Sequence, residues 1–252
     1  MSLNFSDTTN FKGIVQIYEK ECGFERGYIS GNTNRMKEFT ADVNLALDDY
    51  FGIGIQASGR WQLDDSNHSK YPEIKTDLIQ NQRDYTFTTD EEGALILDIY
   101  KVMVADENGT FREIYPVDQQ SSNSPASFYD GIDTTGVPQW YDKTANGILF
   151  DVLPSYNYRN VEEGGYGVKV FINRESSYFV HTDTTKKPGV PGLHHRYFAI
   201  KPAFDYARRN GLSTEASLRN EIQLMERDIK EYLGGREKDT RKVLRGRITN
   251  YK

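Results

Sequence analysis

The apolar positions of this chain change period along its length, and the changes mark out its elements. Met36, Phe39, Val43, Leu47 and Tyr50 recur at steps of three and four, which is one face of a helix. Asn34 is placed to cap that helix, and Gly52 with Gly54 to stop it. Before it, residues 1–35 scatter Phe5, Phe11, Tyr18, Phe24 and Tyr28 among four glycines with no sustained period. They are expected to form an extended arm with one short strand near Ile14 to Tyr18. Such an arm has too little core to order alone, so its aromatic residues need a partner surface.

The middle of the chain reads as strands. Asp84 to Thr88 alternates aromatic and polar residues, and Ala94 to Val104 is an apolar run. Asp106-Glu107-Asn108-Gly109 then turns the chain back through Phe111 to Val117, a hairpin signature. Residues 121–138 are rich in Ser, Gly and Pro and predict a long surface loop. A strand pair follows about Thr144 to Gly147, then a strand alternating Val168, Val170 and Ile172, and another at Tyr178 to Val180. About six strands in this order predict a small antiparallel barrel or sandwich.

After Pro188 and Pro191 the helical period returns. His194 to Asn210 presents Tyr197, Ile200, Phe204 and Ala207, with Pro202 expected to bend it and Gly211 to close it. Ser213 is the expected cap of a second helix, on which Leu218, Ile222, Met225, Ile229 and Leu233 form one stripe up to Gly234-Gly235. The stripe is either core or the contact with an identical neighbour, and in a ring the two are compatible. The short Gly211-Leu212 link predicts an antiparallel hairpin.

The fold class is therefore α+β. An antiparallel helical bundle, made of one N-terminal helix and a C-terminal helical hairpin, carries an inserted small antiparallel β domain and extended termini. The expected divisions are an arm at 1–35, the first helical part and a junction at 36–82, and the β domain at 83–190. The helical hairpin at 191–235 and a basic tail at 236–252 complete the chain.

Composition narrows the function. With 17 Tyr, 13 Phe and 2 Trp against 4 His and 1 Cys, the chain is rich in contact surface and poor in nucleophiles and soft metal ligands. Cys22 alone forms no internal disulfide. No run of about 18 apolar residues suits a membrane span, and the start lacks the basic and apolar stretches of a secretory signal, which predicts that the product stays in the cytoplasm where it is made. The net charge of −6 hides an asymmetry. Residues 236–252 hold Arg236, Lys238, Arg241, Lys242, Arg245, Arg247 and Lys252 against two acidic residues, a local balance of +5 that leaves −11 on the preceding 235 residues. That basic end is either an arm that docks on an acidic partner or nucleic acid, or a solvated tail.

Candidate chemistry is weak. Gly52-Ile53-Gly54 loosely matches a dinucleotide fingerprint but follows a helix, where that turn must follow a strand. Asp64-Asp65-Ser66-Asn67-His68 lacks the spacing of a calcium loop and reads as a turn. His194 and His195, being adjacent, point about 100° apart on a helix and make no chelating pair. His181 and Asp183 near Ser176 and Ser177 lack a nucleophile elbow. No enzyme activity, cofactor or metal is expected. The run from Gly59 through Trp61, Asp64 and Asp65 to Tyr71-Pro72 is a structural junction between the helix and the strands.

That junction belongs to a series of motifs: Ala46-Leu47-Asp48, Gly59-Arg60-Trp61-Gln62-Leu63-Asp64-Asp65-Ser66-Asn67 with Tyr71-Pro72, and Gln82-Arg83-Asp84-Tyr85-Thr86-Phe87. Ile99-Tyr100-Lys101-Val102, Gly136-Val137-Pro138-Gln139-Trp140-Tyr141-Asp142-Lys143 and Leu153-Pro154 with Tyr156 follow in order. Over about residues 36–235 this series resembles the head-to-tail adaptor, or connector, proteins of tailed bacteriophages, including the tail accessory factors and tail tubular proteins of short-tailed phages. The resemblance implies a non-enzymatic virion protein in the neck that forms a ring, commonly a dodecamer, below the portal and extends the DNA channel. It implies as partners the portal protein, tail or further connector proteins, and passing DNA without sequence recognition, with no membrane. The basic tail from Arg236 to Arg247 would reach back to the portal, and an acidic lumen would let phosphates pass without holding them. The arm before the first helix, Pro202 and the loop at 119–138 depart from the pattern. A rival reading is a carbohydrate- or receptor-binding tail module that uses exposed Trp140, Tyr141, Tyr156 and Tyr158.

Overall fold

The computed structural model describes residues 2–57, 67–117, 134–158 and 166–235. Their fold is α+β, with four α-helices and a curled seven-stranded sheet that forms a half-barrel. The described residues fall into two compact units. One comprises 2–57, 179–187 and 191–235, and the other 67–117, 134–158, 166–178 and 188–190.

The helical unit contains α1 (Ile14–Glu21), α2 (Thr33–Ala57), α3 (Tyr197–Asn210) and α4 (Glu215–Gly234). The last three pack on one another pairwise, and α1 packs on α3. The predicted N-terminal arm is thus part of this unit. Ile14, Val15 and Tyr18, expected in a strand, lie on α1 and are buried, and Phe5 is fully buried. The Phe5 ring stacks on Phe179 at 4.4 Å, while the N–H groups of Phe5 and Ser6 donate to the carbonyls of Lys186 and Thr184 at 2.8 and 3.0 Å. The surface that orders these aromatics is the chain's own helical unit.

Helix α2 begins earlier and ends later than its period predicts. The cap is Asn32, whose Oδ1 accepts from the N–H groups of Asn34 and Arg35 at 3.0 and 3.2 Å. Gly52 and Gly54 do not stop the helix, which runs on to Ala57 with Gly54 buried. Residue 179, predicted in a strand, is held by α2. Asn44 Oδ1 accepts from Phe179 N–H at 2.9 Å and Asn44 Nδ2 donates to Phe179 O at 3.0 Å, which satisfies the backbone as a neighbouring strand would.

Gly211, left-handed at φ 62°, closes α3 as predicted, and Pro202 lies within that helix. Helix α4 starts after Thr214 with no side-chain cap at all, so Ser213 does not cap it. Leu218, Ile222, Ile229 and Leu233 are buried, each worth roughly 2 kcal/mol of transfer free energy, and Met225 is half-buried.

The sheet order is β1 (Glu73–Thr76), β9 (Val168–Arg174), β3 (Ile96–Ala105), β4 (Phe111–Pro116), β6 (Trp140–Thr144), β7 (Gly147–Phe150) and β2 (Asp84–Thr86). β5 (Thr135–Gly136) and β8 (Leu153–Pro154) form a separate ribbon. The unit therefore begins before the predicted boundary at 83, because β1 pairs with β9 from Glu73↔Phe171 to Thr76↔Val168. The pairing is not wholly antiparallel, since β4 and β6 run parallel at Tyr115↔Trp140. One curled sheet stands where a sandwich was the alternative. The Asp106–Gly109 turn is present as read: Gly109 has φ 83°, and Asp106 Oδ1 accepts from Asn108 and Thr110 N–H, each at 2.9 Å. Inward residues Val102, Val104, Ile114, Tyr141, Ile148, Phe150, Val168, Val170 and Ile172 form the core.

Candidate functional site

In the helical unit the segment joining α1 to α2 is built on one buried carboxylate. Glu19, 2% exposed, accepts from Ile29 N–H at 2.8 Å, Ser30 N–H at 2.9 Å and Gly27 N–H at 3.2 Å. Gly27 takes φ 83°, where a side chain would strain the backbone. This clamp presents Phe24 and Tyr28, stacked at 4.5 Å, beside Tyr206 of α3.

The result is a groove of about 540 Å³ between Phe24, Tyr28, Phe39, Tyr206, Arg35 and Arg209. The Arg35 guanidinium lies 3.7 Å from the centre of the Tyr28 ring and donates to Tyr28 O at 3.1 Å. Arg209 Nη2 donates to Asp42 Oδ2 at 2.8 Å, and that bond raises the arginine's pKa. Aromatic faces beside paired charges are the chemistry of a protein contact surface. Cys22, at the end of α1, is half-buried, and burial pushes its thiol up to about 12, the opposite of an activated nucleophile.

The sheet unit has a second cavity, of about 420 Å³, lined by Ile114, Tyr115, Val137, Pro138, Trp140 and Glu113. Tyr115 and Trp140 rings lie 5.8 Å apart on it. The other aromatics named for the rival reading are placed differently. Tyr141 is 1% exposed, and Tyr156 and Tyr158 pack against the core, with Tyr156 Oη donating to Ala105 O at 2.8 Å.

Of the junction motif, Tyr71 and Pro72 are described, whereas Trp61, Asp64 and Asp65 lie outside the described residues. His68 Nδ1 lies 3.2 Å from Glu92 Oε2. Glu92 accepts from Ser69 Oγ and Ser69 N–H, and these bonds, the hydroxyl's foremost, hold its carboxyl down to about 2. Arg174 closes the network, donating to Asp90 Oδ2 at 3.1 Å and Lys70 O at 3.0 Å. Arg174 carries no signal in the sequence, because a charge that ends a strand of alternating apolar residues has the same pattern whether it is solvated or buried.

The basic residues Arg236, Lys238, Arg241, Lys242, Arg245 and Arg247 lie outside the described residues. The stripe from Leu218 to Leu233 is committed to the core, with Met225 at its margin. On the outer side of α4, Leu224 is 52% exposed, while the Tyr232 ring packs edge-on against His194 at 5.1 Å.

The other motifs are structural where they are described. Gly52 and Gly54 sit inside a helix, so no phosphate-cradling turn exists there. Asp183 turns to Val180 N–H at 2.8 Å rather than to His181. His195 is buried and accepts from Leu3 N–H at 2.9 Å, while His194 Nδ1 lies 2.5 Å from Tyr50 Oη. Among the described residues no group of three or more His, Cys, Asp or Glu is placed to hold a metal ion, and no helix is long and apolar enough to cross a membrane. Comparison with known proteins returns neither a matching family model nor a matching curated protein.

Proposed function

We propose that this chain is a structural virion protein, a head-to-tail connector that forms a ring below the portal of a tailed bacteriophage, extends the DNA channel and links capsid to tail. The reading rests on the ordered motifs that resemble the adaptor family. One structural observation carries it further. The two long helices use their inner stripes for their own core and still leave Leu45 (63% exposed) and Ile55 (38%) on α2, and Leu224 on α4, in solvent. Leu224 lies two residues on from buried Ile222, about 200° round the helix. A helix with apolar residues on opposite sides has a second surface to cover.

On this reading the helices are an antiparallel bundle that meets the portal and the ring neighbours, and the curled sheet is the β domain directed at the tail. The ring is a dodecamer by the family's habit, and the basic tail 236–252 docks on the portal. The acidic balance of the rest of the chain keeps the lumen from gripping DNA phosphates.

Deleting residues 236–252 tests the docking: occupancy of portal-bearing particles should fall while the remaining chain stays folded. Unchanged occupancy contradicts the docking role. Retention of glycans by the full chain, lost on Trp140→Ala, would favour the receptor-binding reading instead.

A further inference from the structure

Tyr71 is the most exposed large apolar side chain among the described residues, at 84%. The backbone on both sides of it is nonetheless fixed. Ser69 donates to Glu92 through its N–H at 3.1 Å and also through its hydroxyl. Lys70 O accepts from the fully buried Arg174 at 3.0 Å, and Pro72 O accepts from Ile172 N–H at 3.1 Å. The Tyr71 carbonyl accepts from Glu73 N–H at 2.8 Å, and β1 starts at that residue. An aromatic ring held out on a stem so restrained gives up little backbone entropy on binding, which is the property of an interface anchor. A tyrosine that is merely solvated needs no such stem.

The sheet unit also supplies a receptacle, the 420 Å³ cavity walled by Ile114, Tyr115, Val137, Pro138 and Trp140. The strands β9 and β3 lie between β1, which follows Tyr71, and β4, which forms the cavity wall. At 84% exposure Tyr71 does not occupy the cavity of its own unit. One opposite-charge match is available between the two, beside Arg112, which Asp106 pairs at 3.2 Å. Lys70, its side chain 54% exposed, adjoins Tyr71, and Glu113, 51% exposed, lines the cavity. Their present partners, Glu91 at 3.2 Å and Lys101 at 3.4 Å, are surface pairs of small net worth and exchange readily.

The geometry points to a head-to-tail contact between copies of this chain, in which Tyr71 of one copy enters the Trp140 cavity of the next and Lys70 meets Glu113. Each copy offers one knob and one hole, with β9 and β3 between them in the sheet. In the ring reading the contact is heterologous and propagates until the ring closes; a ladder that stops at the dimer contradicts it. Closure into a ring rests on the connector reading; the contact itself rests on Tyr71 and the cavity.

Disulfide trapping of the full chain at its highest soluble concentration tests the contact with Tyr71 left in place, in a Cys22→Ser background with Lys70→Cys and Glu113→Cys, both at exposed positions. The double variant should give a ladder of cross-linked oligomers. A mixture of the two single variants should give the mixed dimer and nothing larger. In parallel, Tyr71→Ala should weaken self-association at least tenfold, the effect of losing an anchor residue. A ladder absent while the unmodified chain still associates overturns this contact and leaves the ring reading standing. A cross-link formed within one chain overturns it too, since the cavity then takes its own Tyr71. A chain that neither cross-links nor associates, with or without portal-bearing particles, overturns the contact and the ring reading together.

Discussion

Arg174 Nη1 lies 3.1 Å from Asp90 Oδ2 with both side chains 1% exposed, which places an ion pair wholly inside the sheet unit at the end of β9. Asp90 Oδ1 also accepts from the N–H groups of Glu92 and Ala94, each at 2.9 Å, so the turn after β2 is bound to the same centre. A buried pair adds little net stability over an apolar substitute, but cutting it leaves a bare charge. Arg174→Met should therefore cost about 3–5 kcal/mol in urea unfolding, and Arg174→Met with Asp90→Asn, which removes the charge and keeps the acceptor oxygen, should recover much of it. Equal destabilisation by the single and double variants would show that the pairing is not what matters.

Glu19 makes the corresponding prediction for the helical unit. Three backbone N–H groups converge on its carboxylate, and Glu19→Ala leaves them to find water. The expected loss is about 3 kcal/mol, with faster hydrogen exchange at Ile29 and Ser30 than elsewhere in the unit. Uniform exchange across the unit would contradict a local clamp.

His194 sets a dependence on pH. Burial, and then the neighbouring His195, lower its pKa below the ordinary 6.5. The unfolded chain thus binds the proton more readily than the folded one, and the folded form loses stability as pH falls from 6.5 towards the lower folded value. Among the described residues its Nε2 is buried with no partner, so no acceptor stands ready for the added proton. Denaturant midpoints taken from about pH 7 to about pH 5 should fall, and His194→Gln should flatten the slope. A slope unchanged in the variant would assign the effect to another group.

Cys22 should resist modification. With its thiol raised to about 12 by burial, the thiolate fraction near neutral pH is far below that of a free cysteine. Alkylation in the folded chain should run at least tenfold slower than in urea, and equal rates would mean that the end of α1 opens freely.

Elements with long, regular patterns were legible in the sequence. Leu218, Ile222, Ile229 and Leu233 mark α4, and Asp106 to Gly109 mark the β3–β4 turn, because period and turn chemistry are local properties. Helix α1 was not, since eight residues are too few to hold a helix without the packing that α3 provides. Gly52 and Gly54 misled in the same way, the tertiary setting of α2 overriding their helix-stopping tendency. The aromatic groove joins Phe24 and Tyr28 to Tyr206, and the buried network joins Lys70 and Asp90 to Arg174. Contacts so distant along the chain leave no periodic trace. Glu19 was hidden because a carboxylate on a short helix reads as solvated until the N–H groups it accepts from are seen.

On the connector reading, copies of this chain close into a ring on the portal. Electron imaging of portal-bearing particles incubated with the purified chain tests it most directly. The expected result is closed ring density below the portal, composed of repeated 28.9 kDa subunits around a continuous channel. Particles whose portal stays bare, or carries this chain as a single unrepeated subunit, would contradict it.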